Sequence, residues 1–256
     1  MLENVQRIEP ARLDGAPAAI ADVIAELAAE SAALGSALHP RTAASLAQLV
    51  RIMNAYYSNL IEGHNTCPRD IARALAGEFD RDEGRRNLQM EAAAHVRVQA
   101  DVDRMASAGE LPEPASAQFI QWLHREFYRD APQAMVNVRS RNNREYVMHP
   151  GNWRSRSDDD VVVGRHQPPS STRVQDFMQY FELRYRFEDM GKATRIMAIA
   201  AAHHRFNYIH PFPDGNGRVS RLMSHAMARR GSAPTACGRF LGAWRAVLKT
   251  VRSTRV

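Results

Sequence analysis

The sequence has 256 residues, of which 45% are hydrophobic and 24% are charged, and its formal net charge is +6. This composition is that of an ordinary globular protein, with enough residues to build a sizeable core. No apolar run approaches the roughly 20 residues of a membrane span, and the first residues lack the pattern of a secretory signal. Two cysteines, Cys67 and Cys237, are too few for a disulfide framework. We therefore expect a cytoplasmic protein without a membrane partner.

The positive charge is concentrated near the C-terminus. From residue 216 onward there are nine Arg or Lys and no Asp or Glu, whereas residues 1–215 carry 25 bases and 28 acids. A basic tail of this kind can bind nucleic acid. The chain holds only two lysines, however, so we attribute most of these arginines to a coding bias for Arg. Nucleic acid is not an expected partner.

The N-terminal half reads as helix. Apolar residues recur at helical spacing in four segments, 20–27, 46–60, 71–79 and 88–105. The His39–Pro40 pair interrupts the pattern after the first segment, Gly63 caps the second and Pro68 opens the third. Residues 109–114, which include one glycine and two prolines, indicate a linker. We predict an N-terminal helical region over residues 1–115.

The C-terminal half contains a segment of different character. Helical spacing over 119–127 gives way to two β-prone runs, which predict a hairpin with a loop over about 145–167. Helical spacing then resumes over 174–181 and 196–206. Strands do not alternate with helices, which argues against a doubly wound nucleotide-binding fold. We predict an all-α core over residues 116–256 that carries one small hairpin.

Residues 210–221, His-Pro-Phe-Pro-Asp-Gly-Asn-Gly-Arg-Val-Ser-Arg, carry the chemistry. Two prolines end the preceding helix near Ile209. Glycines on both sides of Asn216 allow a turn that aims successive backbone N–H groups at one point, just before a new helix begins. Arg218 and Arg221, three residues apart, lie on one face of that helix. Amides, helix dipole and guanidinium groups together favour a polyphosphate ligand.

Two further side chains of this stretch suit phosphoryl or nucleotidyl transfer. A carboxylate at Asp214, beside bound phosphates, makes physical sense if Mg²⁺ lies between them. His210 precedes the loop, and nearby arginines favour its neutral form in the empty site. A neutral imidazole can accept the proton of an incoming hydroxyl.

The pattern His210-Pro211-Phe212-x-Asp214-Gly215-Asn216-Gly217-Arg218-x-x-Arg221 resembles the signature of the Fic family of protein adenylyltransferases. The resemblance implies a Fic-type helical bundle that transfers AMP from ATP to a Ser, Thr or Tyr hydroxyl of a target protein and releases pyrophosphate. It implies that His210 is the general base and Asp214 holds Mg²⁺. It assigns phosphate oxygens to Gly215, Asn216 and Gly217, and the β- and γ-phosphates to Arg218 and Arg221. The predicted hairpin resembles the family's flap, which pairs with a segment of the target.

An upstream stretch, Ser58-Asn59-Leu60-Ile61-Glu62-Gly63, is similar to the inhibitory motif of Fic proteins, in which Ser58, Glu62 and Gly63 are the specified positions. A Glu62 carboxylate paired with Arg221 would occupy the γ-phosphate position and cancel its charge. ATP would then bind with its α-phosphate misplaced for in-line attack. The motif predicts an autoinhibited enzyme.

The chain departs from the family after the signature helix. Family members continue with at least one more packed helix, whereas here the helical pattern breaks over 229–235 and a basic stretch follows. We expect an atypical or truncated C-terminal part after about residue 229. Three alternatives to transfer stay open: removal of AMP by the same site, a non-catalytic nucleotide-binding regulatory protein, and nucleic-acid binding through the tail. The target protein is not readable from the sequence, and a homodimer is compatible with it.

Overall fold

The computed structural model describes residues 3–12, 15, 17–140 and 143–231. These residues form nine α-helices and one two-stranded antiparallel sheet, which confirms the predicted all-α class with a small hairpin. The elements in chain order are α1 Ala18–Ala37, α2 Pro40–Ile61, α3 Pro68–Leu75, α4 Glu83–Ala108, α5 Ala117–Tyr128, α6 Gln133–Val136, β1 Asn137–Arg139, β2 Glu145–Val147, α7 Val174–Tyr185, α8 Lys192–Ile209 and α9 Asn216–Gly231. Within the described ranges, no helix has the length and apolar character needed to cross a membrane.

Local sequence sets most of the helix boundaries. Proline occupies the first turn of α2 and of α3, where its missing N–H costs no hydrogen bond. The Ser116 side chain caps α5 by accepting a hydrogen bond from the Phe119 N–H. α3 is shorter than predicted, because Gly77 adopts φ +83° and turns the chain before Phe79.

The hairpin forms in a different place from the predicted one. β1 pairs with β2, with Val138 opposite Tyr146, and the predicted second strand at 161–163 makes only an isolated bridge between Val163 and His166. The prediction of a 145–167 hairpin therefore paired β2 with the wrong strand. β1 directly precedes β2 in the chain, and only a short connection separates the two strands. Residues 161–163 follow β2 at a greater distance and lie in a loop that begins with the buried Arg154.

α9 lies at the centre of the fold. It packs against α8, α4 and α5, and its apolar face is fully buried. The main core gathers side chains from these helices, from α7 and from the N-terminal Ile8; it includes Phe177, Phe181, Phe206, Val219, Leu222 and Met223. The arrangement places the first turn of α9, and the loop before it, on a rigid support.

The N-terminal helices pack outside the main core. α2 and α3 dock on α4 through a small apolar cluster of Ala55, Ile71, Ala92 and Val96. α1 buries none of its residues. α4 also contributes Val98 to the main core, so it supports both groups of helices. The domain division near residue 115 stays a prediction.

The C-terminal expectations concern residues beyond the described part. The predicted break at 229–235 and the expected atypical or truncated C-terminal part fall largely within 232–256. The basic tail, for which nucleic-acid binding was kept only as an alternative, lies mostly in the same stretch. These expectations stay predictions.

Two buried histidines make acid sensitivity a testable property. Burial lowers the pKa of His95 to about 3 and that of His124 to about 4. In the unfolded chain the histidine pKa is near 6.5, so as the pH falls the unfolded state takes up protons before the folded state does. The contribution of these histidines to the unfolding free energy is therefore fully present above about pH 6.5 and is lost as the pH drops towards 4.

We expect each of these histidines to remove about 1.4 kcal/mol of unfolding free energy per pH unit within that window. Urea unfolding between pH 7 and pH 5 measures the slope. His95→Gln should reduce this slope by about 1.4 kcal/mol per pH unit, which corresponds to one proton. His149→Gln, at an exposed position, should leave the slope unchanged. A slope that His95→Gln does not alter would contradict the assignment.

Candidate active site

His210 stands at the end of α8, where the helix is forced to stop. Its backbone adopts the left-handed conformation with φ 52°, and its N–H donates to the Phe206 carbonyl at 2.9 Å. The following prolines cannot continue the helix, so α8 ends at Ile209 as predicted. Burial, together with the positive charge of Arg154, lowers the pKa of His210 to about 4. The imidazole is therefore neutral at pH 7 and able to accept a proton.

The loop that leads into α9 is held by Asn216. The Phe212 N–H donates to Asn216 Oδ1 at 2.9 Å, and Asn216 Nδ2 donates to the Phe212 carbonyl at 2.8 Å. The side chain is buried, so it maintains the loop and leaves only the backbone of Asn216 for a ligand. The Gly215 carbonyl accepts from the Val219 N–H and starts the helix, whose first N–H groups have no intrahelical partner.

Glycine matters at both predicted positions, for different reasons: the backbone requires it at Gly215, whereas at Gly217 it leaves room for a side chain. Gly215 has φ +78°, and a Cβ atom there would lie 2.8 Å from the Tyr128 hydroxyl. Gly217 is helical, but a Cβ atom there would lie 2.6 Å from Glu62 Oε1. The Glu62 carboxylate therefore rests directly on the first turn of α9.

Helix α5 supplies two site residues that the sequence did not predict. His124 Nδ1 accepts from the Gly151 N–H at 2.8 Å, which leaves Nε2 to donate to the Asp214 carbonyl at 3.2 Å. The Tyr128 hydroxyl donates to Asp214 Oδ2 at 2.9 Å. The sequence feature that could have indicated them is the spacing of His124 and Tyr128, which lie four residues apart and so on one face of the helix.

Arg218 is held by two carboxylates. Its Nη1 donates to Glu91 Oε1 at 2.6 Å and its Nη2 to Asp214 Oδ2 at 2.9 Å. The side chain lies over the rings of Phe127 and Tyr128, and the paired charges raise its pKa despite burial. Sequence reasoning missed Glu91, whose signal is a buried acid within the apolar pattern of α4.

Arg221 makes the contact that the upstream motif predicted. Its Nη2 donates to Glu62 Oε1 at 2.5 Å, and its Nε donates to Ser58 Oγ at 2.8 Å. Glu62 lies at the C-terminal cap of α2, and Gly63 follows with φ +90°, which lets the chain turn away. The predicted pairing of Glu62 with Arg221 is thus present, with the Ser58 hydroxyl as a further partner.

Asp214 is the carboxylate available to a metal ion at this loop. Its side chain is 45% exposed, and Arg218 and the Gly215 amide hold its pKa low against the effect of burial. Mg²⁺ binds through one or two carboxylates and completes its shell with phosphate and water oxygens. A single ionised, half-exposed carboxylate beside the N-terminus of a helix fits that ion.

Comparison with known proteins agrees with this geometry. The profile of the Fic/DOC family matches residues 114–228, so this part of the chain is a Fic domain. Proteins named protein adenylyltransferase Fic from Drosophila virilis and Drosophila melanogaster are each 38% identical to this chain over 74 residues. The alignment covers 29% of this chain and 15% of each fly protein.

Solved structures share the fold at low sequence identity. A Fic domain containing signalling protein from Bacteroides thetaiotaomicron superposes with a TM-score of 0.62 at 22% identity, over 81% of this chain and 72% of that one. A Fic family protein from Desulfovibrio desulfuricans superposes with a TM-score of 0.59 at 17% identity, over 94% of this chain and 76% of that one. The likeness extends to the helices that precede the Fic domain.

The close approach of Gly215 to Tyr128 predicts a large effect of a small substitution. Gly215→Ala should lose about 2–4 kcal/mol of unfolding free energy, because it adds a steric clash to the strain of a positive φ. Gly109→Ala is the matched control, since Gly109 has φ +74° and no atom within 4 Å of the added Cβ. It should lose only about 1 kcal/mol. Equal losses in chemical denaturation would show that the contact with Tyr128 is unimportant.

Proposed function

We propose that this protein is an autoinhibited adenylyltransferase that transfers AMP from ATP to a Ser, Thr or Tyr hydroxyl of a target protein and releases pyrophosphate. The observation that carries the proposal is the placement of a neutral His210 beside a loop that leads into a helix N-terminus bearing two arginines. The names of the fly relatives support the same reaction class. The cytoplasm stays the expected compartment, and a homodimer stays a prediction.

The triphosphate would bind at the first turn of α9. Backbone amides of Gly215, Asn216 and Gly217 are the donors we assign to phosphate oxygens, since they belong to a helix start with unsatisfied N–H groups. Arg218 and Arg221 are assigned to the β- and γ-phosphates. Both guanidinium groups already lie at this turn, which favours binding without large rearrangement of the backbone.

His210 would act on the acceptor hydroxyl. Its Nδ1 is buried, which leaves Nε2 to take the proton. The hydroxyl oxygen forms a bond to the α-phosphorus as the bond from that phosphorus to the pyrophosphate oxygen breaks. Asp214 would hold Mg²⁺, which when bound neutralises phosphate charge.

Glu62 would restrain the reaction by competing for Arg221. Its carboxylate lies against Gly217 and accepts from Arg221, where a terminal phosphate would otherwise be placed. The Glu62 side chain is 31% exposed and sits at a helix end, so it can move aside more easily than a core residue. Nucleotide that binds while Glu62 stays in place would be misaligned for attack.

Glu62→Gly should raise transfer of labelled AMP from ATP by about tenfold or more, because loss of a charge-assisted pair of about 1.4 kcal/mol or more frees Arg221. Glu62→Gln, which keeps the size but removes the charge, should give an intermediate rise. Glu78→Gly, at an exposed position, is the control and should change nothing. Unchanged or lower transfer by Glu62→Gly would remove the inhibitory role.

His210→Ala in the Glu62→Gly background should lower transfer by about 10²–10⁴-fold while ATP affinity stays within about twofold. Transfer by the Glu62→Gly variant should fall as the pH drops towards the His210 pKa, because the protonated imidazole cannot accept a proton. Bound triphosphate should raise that pKa above its value of about 4 in the free site. Retained turnover by His210→Ala would exclude His210 as the base.

Removal of AMP from a modified target is the second candidate reaction. The carboxylate of Glu62 beside Gly217 favours it, since such a group can position a water molecule near the bound phosphate. AMP release from adenylylated protein by the unmodified chain, lost in Glu62→Gly, would support this candidate.

Binding of ATP by Glu62→Gly with neither reaction would favour a non-catalytic regulatory protein. Mass spectrometry of a lysate treated with Glu62→Gly and ATP would identify the target.

A further inference from the structure

The most deeply buried charged side chain near the site belongs to a residue outside the signature. Arg154, in the loop that follows β2, is 1% exposed. It faces the end of α8 rather than the phosphate-binding helix, and no step proposed above uses it. A fully buried guanidinium is costly unless every donor group has a partner, so its contacts indicate what it is for.

All three nitrogens of the Arg154 guanidinium are hydrogen-bonded. Nε donates to the His210 carbonyl at 2.7 Å, and Nη2 donates to the Ile209 carbonyl at 3.0 Å. Nη2 also donates to the Pro169 carbonyl at 2.6 Å, and Nη1 donates to Ser171 Oγ at 2.8 Å. The side chain therefore bridges the last turn of α8 and the loop that precedes α7.

The backbone of the same residue completes the clamp. The Arg154 N–H donates to the Pro211 carbonyl at 2.9 Å. Together with the two side-chain bonds, this gives three consecutive carbonyls, of residues 209, 210 and 211, one common partner. Those carbonyls lie at the end of a helix where no further turn can satisfy them, because the chain contains prolines at 211 and 213.

We propose that Arg154 is the positioning residue for His210: it fixes the left-handed backbone of the proposed base and so sets where the imidazole stands relative to α9. The proposal rests on the proposed function for its catalytic consequence. The left-handed conformation of a non-glycine residue such as His210 costs free energy and persists where surrounding contacts impose it. The bonds from Arg154 are such contacts.

The charge of Arg154 has a second effect on the imidazole. Burial lowers the pKa of His210 first, and Arg154 adds to that effect, as does His166 to a smaller extent. The Asn207 backbone and Asp214 act in the opposite direction. Arg154 therefore also helps to keep the imidazole neutral, although its role in position stands on the hydrogen bonds alone.

Lysine cannot replace this side chain. The guanidinium presents donors in a fixed plane and meets acceptors on three sides, whereas an ammonium group is a point charge on a flexible stem. Asp160 Oδ1, at 3.7 Å from Arg154 Nη1, is the nearby counter-charge and would serve either cation. Arg154→Lys therefore keeps the positive charge but removes the planar set of donors that makes the four hydrogen bonds.

The test uses the full chain in the Glu62→Gly background. Arg154→Lys should lower kcat for AMP transfer by about 10²-fold, the size expected for misplacement of a catalytic group by about 1 Å, while the Kd for ATP changes less than about twofold. Arg156→Lys, whose side chain is 62% exposed, is the matched control and should leave both values unchanged. An unchanged kcat in Arg154→Lys would overturn the proposal, as would an equal loss of kcat and ATP affinity.

Amide hydrogen exchange gives a readout that does not depend on activity. In Arg154→Lys, the amides of His210 and Phe212 should exchange faster, while those of α4 and α5 keep their protection. A general rise across all helices, or no rise at 210–212, would overturn the proposal. If Glu62→Gly alone transfers no AMP, the proposed function fails and exchange alone decides the positioning role. Arg154→Met removes charge and geometry together and, if it folds, should lower kcat further than Arg154→Lys.

Discussion

The turn that joins α8 to α9 is the constraint on which the site depends. Residues 210–215 connect α8 to α9, and both helices contribute to the main core. Pro211 and Pro213 prevent helical hydrogen bonding in this connection. Buried backbone groups must still find partners. They find them in side chains: Asn216 bonds both ways with Phe212, His124 reaches the Asp214 carbonyl, and Arg154 holds the carbonyls before the loop. The proposed base and the helix N-terminus are therefore held in one fixed relation.

The balance of charge at the start of α9 follows from the same burial. Two guanidinium groups on adjacent turns, beside the positive end of a helix dipole, repel one another unless anions neutralise them. Three carboxylates from three different elements do so: Glu62 at the end of α2, Glu91 in α4 and Asp214 in the loop. Glu91 is 6% exposed and rigidly placed, whereas Glu62 is 31% exposed at a helix end. Of these two carboxylates on the N-terminal helices, Glu62 is therefore the more accessible to a competing anion.

The attachment of α2 combines apolar and polar contacts. It packs along α4 through a small apolar cluster, and its Arg51, Asn54 and Ser58 side chains add polar contacts with α4 and α9. Arg51 donates to Asp103, a carboxylate that His225 and Arg229 of α9 also contact. These cations, together with the hydrogen bond from His225, lower the pKa of Asp103 to about 2 against the opposing effect of burial. A helix held by such pairs is docked in a specific register, although it adds little to the main core.

Some features were fixed by sequence alone because they depend on local chemistry. Proline and glycine positions predicted where α2, α3 and α8 begin or end, and helical spacing predicted the all-α class. The signature predicted His210, Asp214 and the two arginines as neighbours, since they lie within twelve consecutive residues. The pairing of Glu62 with Arg221 was predictable only through resemblance, because 159 residues separate the two.

Tertiary structure decided what no local pattern encodes. The partner strand of the hairpin, the pairing of Glu91 with Arg218 and the contact of Tyr128 with Asp214 depend on which elements meet in space. In the sequence, Glu91 looks like any helical acid and Arg154 like any loop arginine. Burial gives them their roles, because a charged group removed from water must be paired, and only the folded chain determines the partner.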